Sequence, residues 1–575
     1  MRKSFKILLI GLFLGLNIKL LYVIQEKFRA PKELNIPIAE HVGNLDPAVN
    51  DAHRATELLS KVYEGLLEYH YLKRPYELIP NLAAEMPTVS EDGRTYTFLI
   101  QKGIYFQNNP CFPNGKGREL VAEDVVYSFK RIADPVIQSP YFEALQELIH
   151  GFTPFHQHLK QHPGAYDVGI AGICALDRYT VQFTLTKPFP LFLHCLASSY
   201  ASVVPKEAVG HYGARFMNHP VGTGPFTLDA FDPQQTKLVF FKNPTFRAKY
   251  YPTEASPSFQ HLLDTGGKKL PLVDKLVYHI LAEDQPRFLQ FKRKKLDVLE
   301  VESAYLPQVY EQGIFSSKLQ KEGIQLLEVP RVSFTFFGFN CDKKPLDNQK
   351  VRQAMSLAFD GKTCNKLFES NLGTLSHSFI PSLLKGYDKN FYSTYIGYDL
   401  GRARQLLAEA GYPEGKGLPI LKLYTTAHTT RKTQAEFFAK CMAQVGIKIK
   451  LKTMLFPELL KKIRQGKCMV TLMSFMADVP DAESILKIFR YKDWCPSIVL
   501  TDALYNDLYE QAVALPDVPE KTALYEKLNE RISELVPAIL IPLSNQQFLV
   551  HKRVKNYCIS PYHPCKELYL DVENT

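Results

Sequence analysis

The densest cluster of side chains able to bind a metal is His156, His158 and His162, in which His158 and His162 would share one face of a helix at i, i+4. A stable site needs further Cys, His or carboxylate ligands, and this stretch, set between Pro154 and Pro163, offers none; it reads as an exposed connection with no metal. Asp478 and Asp481 form a carboxylate pair of the kind general acid–base chemistry uses, but two aspartates three residues apart are commoner as a cap or turn. Gly361-Lys362-Thr363 ends like a phosphate-binding loop, yet Ser356 stands where the loop needs its first glycine. Gly222-Thr223-Gly224 is followed by Pro225 and lacks the third glycine of a dinucleotide loop. Ser382-Leu383-Leu384-Lys385 matches S-x-x-K without the SDN and KTG partners, and neither GxSxG nor HExxH occurs. No catalytic residue is assigned, no cofactor is expected, and the expectation is a protein that is not an enzyme.

The elements that would position any site belong to a large ordered protein. A chain of 575 residues, 46% hydrophobic and 22% charged, is long enough for at least two lobes. Of the formal charge of +10, six cations and Glu26 within the first thirty residues account for +5, so the body is too weakly basic for a nucleic-acid surface. Arg2, Lys3 and Lys6 ahead of the apolar run Ile7 to Leu16 have the layout of an export signal, with no small-x-small cleavage site after it. Residues 1–30 are therefore expected to be a signal peptide or an uncleaved N-terminal anchor. The first of ten cysteines is Cys111, which excludes a lipidated N-terminal cysteine, and no spacing defines a metal site. Cys558 and Cys565 could close a short hairpin, but no disulfide connectivity is assigned.

Periods of 2 and 3.6 alternate along the chain, which is an α/β pattern. Val181, Phe183 and Leu185 alternate with polar residues, as do Val445, Ile447, Ile449 and Leu451 with lysines, and both segments predict half-buried strands. Asp399 ahead of Ala403, Leu406, Leu407 and Ala410, with Gly411 behind, predicts a capped helix. Asp347 ahead of Val351, Ala354, Met355 and Ala358 predicts another, closed by Asp360-Gly361. Helical faces also run through Leu58, Leu59, Val62 and Leu66 and through Ala122, Val125, Val126 and Phe129.

A series of short motifs runs along the chain in a fixed order. Leu45-Asp46-Pro47 precedes Val62-Tyr63-Glu64-Gly65-Leu66-Leu67, Pro80-Asn81-Leu82-Ala83 and Asp92-Gly93-Arg94-Thr95-Tyr96-Thr97-Phe98. Ala122-Glu123-Asp124-Val125-Val126-Tyr127-Ser128-Phe129-Lys130-Arg131 comes next, then Val221-Gly222-Thr223-Gly224-Pro225-Phe226. Phe339-Asn340, Val351-Arg352-Gln353-Ala354 and Leu406-Leu407-Ala408-Glu409-Ala410-Gly411-Tyr412 complete the series. Each is weak alone, but in this order from about Asn35 onward the chain resembles the family 5 solute-binding proteins, which include the oligopeptide and dipeptide receptors of bacterial ABC importers.

The resemblance implies an α/β fold of the periplasmic-binding-protein type, with two lobes joined by a hinge and an additional inserted domain. Lobe I would comprise 31–68, 220–283 and 546–575, the inserted domain 69–219 and lobe II 284–545, with Gly222 to Gly224 as a tight turn re-entering lobe I. It implies a periplasmic monomer, anchored if residues 1–30 are retained, that captures a peptide ligand and delivers it to an ABC permease in the inner membrane. In peptide-binding relatives a tryptophan, followed three residues later by aspartate, supplies the carboxylate for the peptide's α-ammonium. The matching stretch makes Asp478 the anchor, flanked by Phe475, Met476 and Ala477, with Phe475 in place of the tryptophan. Asp51 and His53 fall where relatives present lobe I backbone to the peptide. The competing readings are a turn cap for Asp478 and an exposed loop for Asp51 to His53. Leu472 stands where some oligopeptide receptors carry arginine, so peptide length stays open. Relatives also take nickel complexes, haem or sugars, and an anchored member without transport is the alternative role.

Overall fold

The computed structural model describes residues 30–39, 42–50, 53–229, 236–490, 498–563 and 565–573, with backbone only at 53–55. The export segment, Asp51, Trp494 and Cys495 lie outside the described residues. Four strands, in the order Glu33–Ile38, Lys275–Ile280, Lys237–Lys242 and Phe226–Leu228, form the first sheet, in which only the first pair is parallel. A second sheet of Thr88–Val89, Thr95–Leu99, Thr180–Thr184 and Ile173–Ala175 is antiparallel throughout. It packs against the helix Ala122–Ala133, and one apolar core, from Leu34 through Phe98 and Phe183 to Val572, runs through both sheets. This continuous core makes lobe I and the inserted layer one body.

The second lobe holds a five-stranded sheet ordered Ile449–Met454, Leu421–Thr426, Val470–Met476, Ser333–Phe339 and Ala538–Ile541. Successive side chains on a strand face opposite ways, and both faces here are apolar. Phe337, Phe339 and Leu423 pack under Met355, Leu407 and Phe438 on one side, while Phe334 and Phe336 meet Leu459, Ile485 and Leu528 on the other. Between the lobes, Gln546–His551 pairs antiparallel with Val298–Glu300 and with Ile324–Val329 in a three-stranded sheet. The chain crosses from this sheet into the second lobe at 330–332 and returns at 542–545. Arg331 Nε donates to Ser544 O at 2.9 Å, which ties the two crossings together, and Ser544 Oγ donates to Glu369 at 2.7 Å.

Several motif residues are buried ties between segments distant in sequence. Arg131 holds Asp46 through two bonds of 2.9 and 2.6 Å, joining the first motif to the fifth inside the core. Glu64 accepts from Arg247 at 2.6 Å and from Thr223 at 2.9 Å. The Gly222 to Gly224 turn needs glycine for close approach rather than for an unusual φ: a Cβ on Gly222 would stand 2.1 Å from Val62 O, and one on Gly224 2.6 Å from it.

The helix Leu400–Glu409 begins as expected, with Asp399 accepting from Arg402 N. Other local expectations need correction. Asn348, not Asp347, caps Gln349–Leu357, and Asp360 opens the next helix, Gly361–Phe368, instead of closing the previous one. The histidine stretch is the helix Phe152–Gln161 and not a connection: Phe152, Phe155 and Leu159 are buried, and Pro154 sits in the first turn, where its missing N–H costs nothing. His158 and His162 stack there with ring centroids 4.6 Å apart. Cys558 and Cys565 are both free and buried, and Cys558 Sγ bonds Tyr71 O at 3.7 Å.

Candidate functional site

The strand Val470–Met476 runs to the edge of the second lobe that faces the first, and its continuation carries the anchoring stretch. Phe475 packs into the apolar cluster with its ring 6.4 Å from that of Phe334. Met476 is exposed, and Ala477 is buried, its N–H donating to Val332 O in the first crossing segment at 2.9 Å. This bond places the next residue, Asp478, beside the hinge.

The two aspartates have different surroundings. Asp481 is buried and accepts from the Tyr525 hydroxyl and, at 2.9 Å, from the N–H of Glu483, so it opens the short helix Glu483–Leu486. Lys521 Nζ lies 3.7 Å away. Asp478 is half exposed, and its carboxylate meets Lys487 Nζ at 3.1 Å, while its own N–H donates to Ser484 Oγ at 2.7 Å. Asp481 is therefore the structural carboxylate of the turn that leads into the helix Glu483–Leu486. Lys487 is disfavoured as a cation by burial, but Glu483 and Asp478 outweigh that and hold its pKa above the usual lysine range. Among the described residues of this cluster, Asp478, Asp481 and Glu483 outnumber Lys487 and Lys521 by one charge.

Across from the cluster stand groups from the other body. The Tyr69 hydroxyl and His194 Nδ1 share a 2.9 Å hydrogen bond. Burial lowers the His194 pKa to about 4, with Asp481 acting against it and Lys521 and Lys385 with it, so the ring is neutral. Burial raises the Cys195 thiol pKa, which also feels Lys487, Glu483 and Asp478. Tyr200 and Tyr562 are likewise raised, first by burial, and both feel Asp478. Tyr69, Tyr76 and Tyr562 form an aromatic group with centroids 4.9 to 6.0 Å apart, and Arg74 lies 4.1 Å over Tyr76. Behind it, a cavity of about 60 Å³ is lined by Tyr63, Glu68, Lys249, Tyr562 and His563.

His53 begins the helix His53–Val62, whose Thr56 accepts from Ser199 Oγ at 3.4 Å, next to the Tyr200 that feels Asp478. Sequence reasoning missed Lys487, Tyr69, His194 and Tyr562, which carry no motif and meet only through the fold. It also missed Arg431, on the helix Thr429–Ala443, which donates to Ser474 Oγ. Burial holds the Arg431 guanidinium below its ordinary pKa, with Glu369 acting against, and no carboxylate among the described residues forms an ion pair with it. Ser474 is exposed and accompanies Thr335 at 2.7 Å, four residues before Asp478.

The sequence profile of the bacterial extracellular solute-binding proteins, family 5 Middle, matches residues 77–494. The chain belongs to that family. Among its relatives, the dipeptide-binding protein of Escherichia coli (strain K12) is 28% identical over 506 residues, covering 84% of each chain. The glutathione-binding protein GsiB of the same strain is 26% identical over 542 residues, covering 92% of this chain and 93% of the relative. In structure, this family 5 protein is similar to the periplasmic binding protein DppA from Helicobacter pylori in complex with peptide STSA, with a TM-score of 0.73 at 22% identity over 96% of this chain and all of the other.

Proposed function

We propose that this solute-binding protein captures short peptides with a free amino terminus between its lobes and hands them to an ABC permease in the inner membrane. The observation that carries the reading is the half-exposed Asp478 carboxylate beside the hinge, in a cluster whose described carboxylates outnumber its lysines by one. A ligand ammonium completes the balance, and exclusion of water on closure strengthens the charge-assisted bond. Phe475, Met476 and Ala477 offer the strand alongside which an extended ligand lies. The other end of the ligand meets Arg431. Ser474 and Asp478 are four residues apart, about 13 Å at roughly 3.3 Å per strand residue, close to the span of an extended peptide of three or four residues.

The hinge is assigned to 330–332 and 542–545, which sets the start of the moving lobe near 330 instead of 284, because residues 298–329 supply strands that pair with Gln546–His551. The chain works outside the cytoplasm, as a binding protein without peptidase activity. Among the described residues no helix is long and apolar enough to cross a membrane. Small-angle scattering during titration with a bound tripeptide tests the closure: the radius of gyration should fall on saturation, and an unchanged radius with a tightly bound ligand overturns it.

A further inference from the structure

The strand Ile449–Met454 forms one edge of the second lobe's sheet, pairing only with Leu421–Thr426. Residues 448–467 hold seven Lys or Arg and a single acid, Glu458, which is engaged by Lys462 at 3.6 Å. Lys422 and Lys450 are register partners on adjacent strands, both exposed and on the same face, where like charges destabilise the pair. Lys448 and Lys452 extend the row with the period of the strand, and none of these four lysines has an ion-pair partner among the described residues.

Edge strands often carry lysine to block pairing with another chain, and that accounts for one or two such residues. It does not account for the residues just beyond the strand. Leu455 and Phe456 stand 74% and 52% exposed where the lysine row meets the basic helix Phe456–Arg464, Leu455 as its N-cap and Phe456 as its first residue. A guarded edge hides apolar residues, whereas this one projects them from a field of cations. Cations at the depth of phosphate groups with Leu and Phe entering the acyl boundary is the pattern of an interfacial membrane contact. A purely acidic protein partner would leave the Leu455 and Phe456 side chains without a role.

We propose that this edge of the second lobe docks on an anionic lipid bilayer, with the lysine row on the headgroups and Leu455 and Phe456 inserted below them. The full chain carrying Phe456→Trp, read by quenching from bromine-labelled lipid, tests it, with the unsubstituted protein giving the background of the single native tryptophan. On vesicles about one-third phosphatidylglycerol the introduced indole should be quenched, and on phosphatidylcholine vesicles it should not. Lys450→Gln with Lys452→Gln should weaken the quenching contact about 25-fold, at roughly fivefold per basic residue, and high salt should act the same way. Absence of quenching on anionic vesicles, equal quenching on both lipids, or indifference to the double lysine substitution would each overturn the proposal. Because the readout sits at residue 456, tethering by the N-terminal segment alone cannot mimic it.

Discussion

Replacing Asp478 with asparagine keeps the shape of the side chain and removes its charge. In the native cluster a bound ammonium takes the local charge from minus one to zero; in the variant the same ligand takes it from zero to plus one, beside Lys487. A hydrogen bond to a charged group contributes about 1.5 to 3 kcal/mol, or roughly 10- to 150-fold in affinity. Asp478 is 51% exposed before ligand arrives, so the lower half of that range applies unless closure dries the site. The cost to the unliganded protein is smaller, because the lost pair with Lys487 is a partly exposed one worth at most about 1 kcal/mol. Calorimetric titration with a tripeptide and its N-acetyl form reads both effects. The native protein should bind the acetylated peptide more weakly by the same factor that the variant loses for the free peptide, and the variant should hardly distinguish the two. Equal affinity of the native protein for both peptides would refute the anchoring role.

Three further outcomes are expected from the geometry. Arg431→Gln should weaken binding of a free tripeptide about tenfold while leaving its C-terminal amide unchanged, as measured by the same titration. Burial lowers the His194 pKa to about 4, so the unfolded chain binds a proton there more readily; the contribution of the neutral ring to folding is fully present above about pH 6.5 and is progressively lost as pH falls towards 4, and the drop in unfolding free energy across that window should flatten in His194→Gln. Arg131→Met strands the buried Asp46 carboxylate and should lower unfolding free energy by about 3 to 5 kcal/mol in urea titration, with peptide affinity at low denaturant little changed.

The fold was legible mainly through motifs that prove to be contacts: Asp46 and Arg131 lie 85 residues apart and form one buried pair. Helix boundaries were legible where a cap stood alone, as at Asp399, and slipped where two candidates adjoined, as at Asp347 and Asn348. The helix through His156 was hidden by flanking prolines, although Phe152, Phe155 and Leu159 already had helical spacing. Asp478 and Asp481 are alike in sequence; burial and the bonds from Tyr525 and Glu483 distinguish the structural carboxylate from the available one. Lys487 and His194 belong to different bodies and reach the cleft through tertiary packing, which no local pattern records. The lysine alternation at 448–452 announced a strand correctly, but its lack of counter-charges required the sheet register.

The most direct test of the account is mass spectrometry under non-denaturing conditions after incubation with a mixed peptide library. The expected result is a one-to-one complex with intact short peptides that carry a free amino terminus, and depletion of the same peptides when N-acetylated. Retention of no peptide, or recovery of cleaved fragments in place of intact ligands, would contradict it.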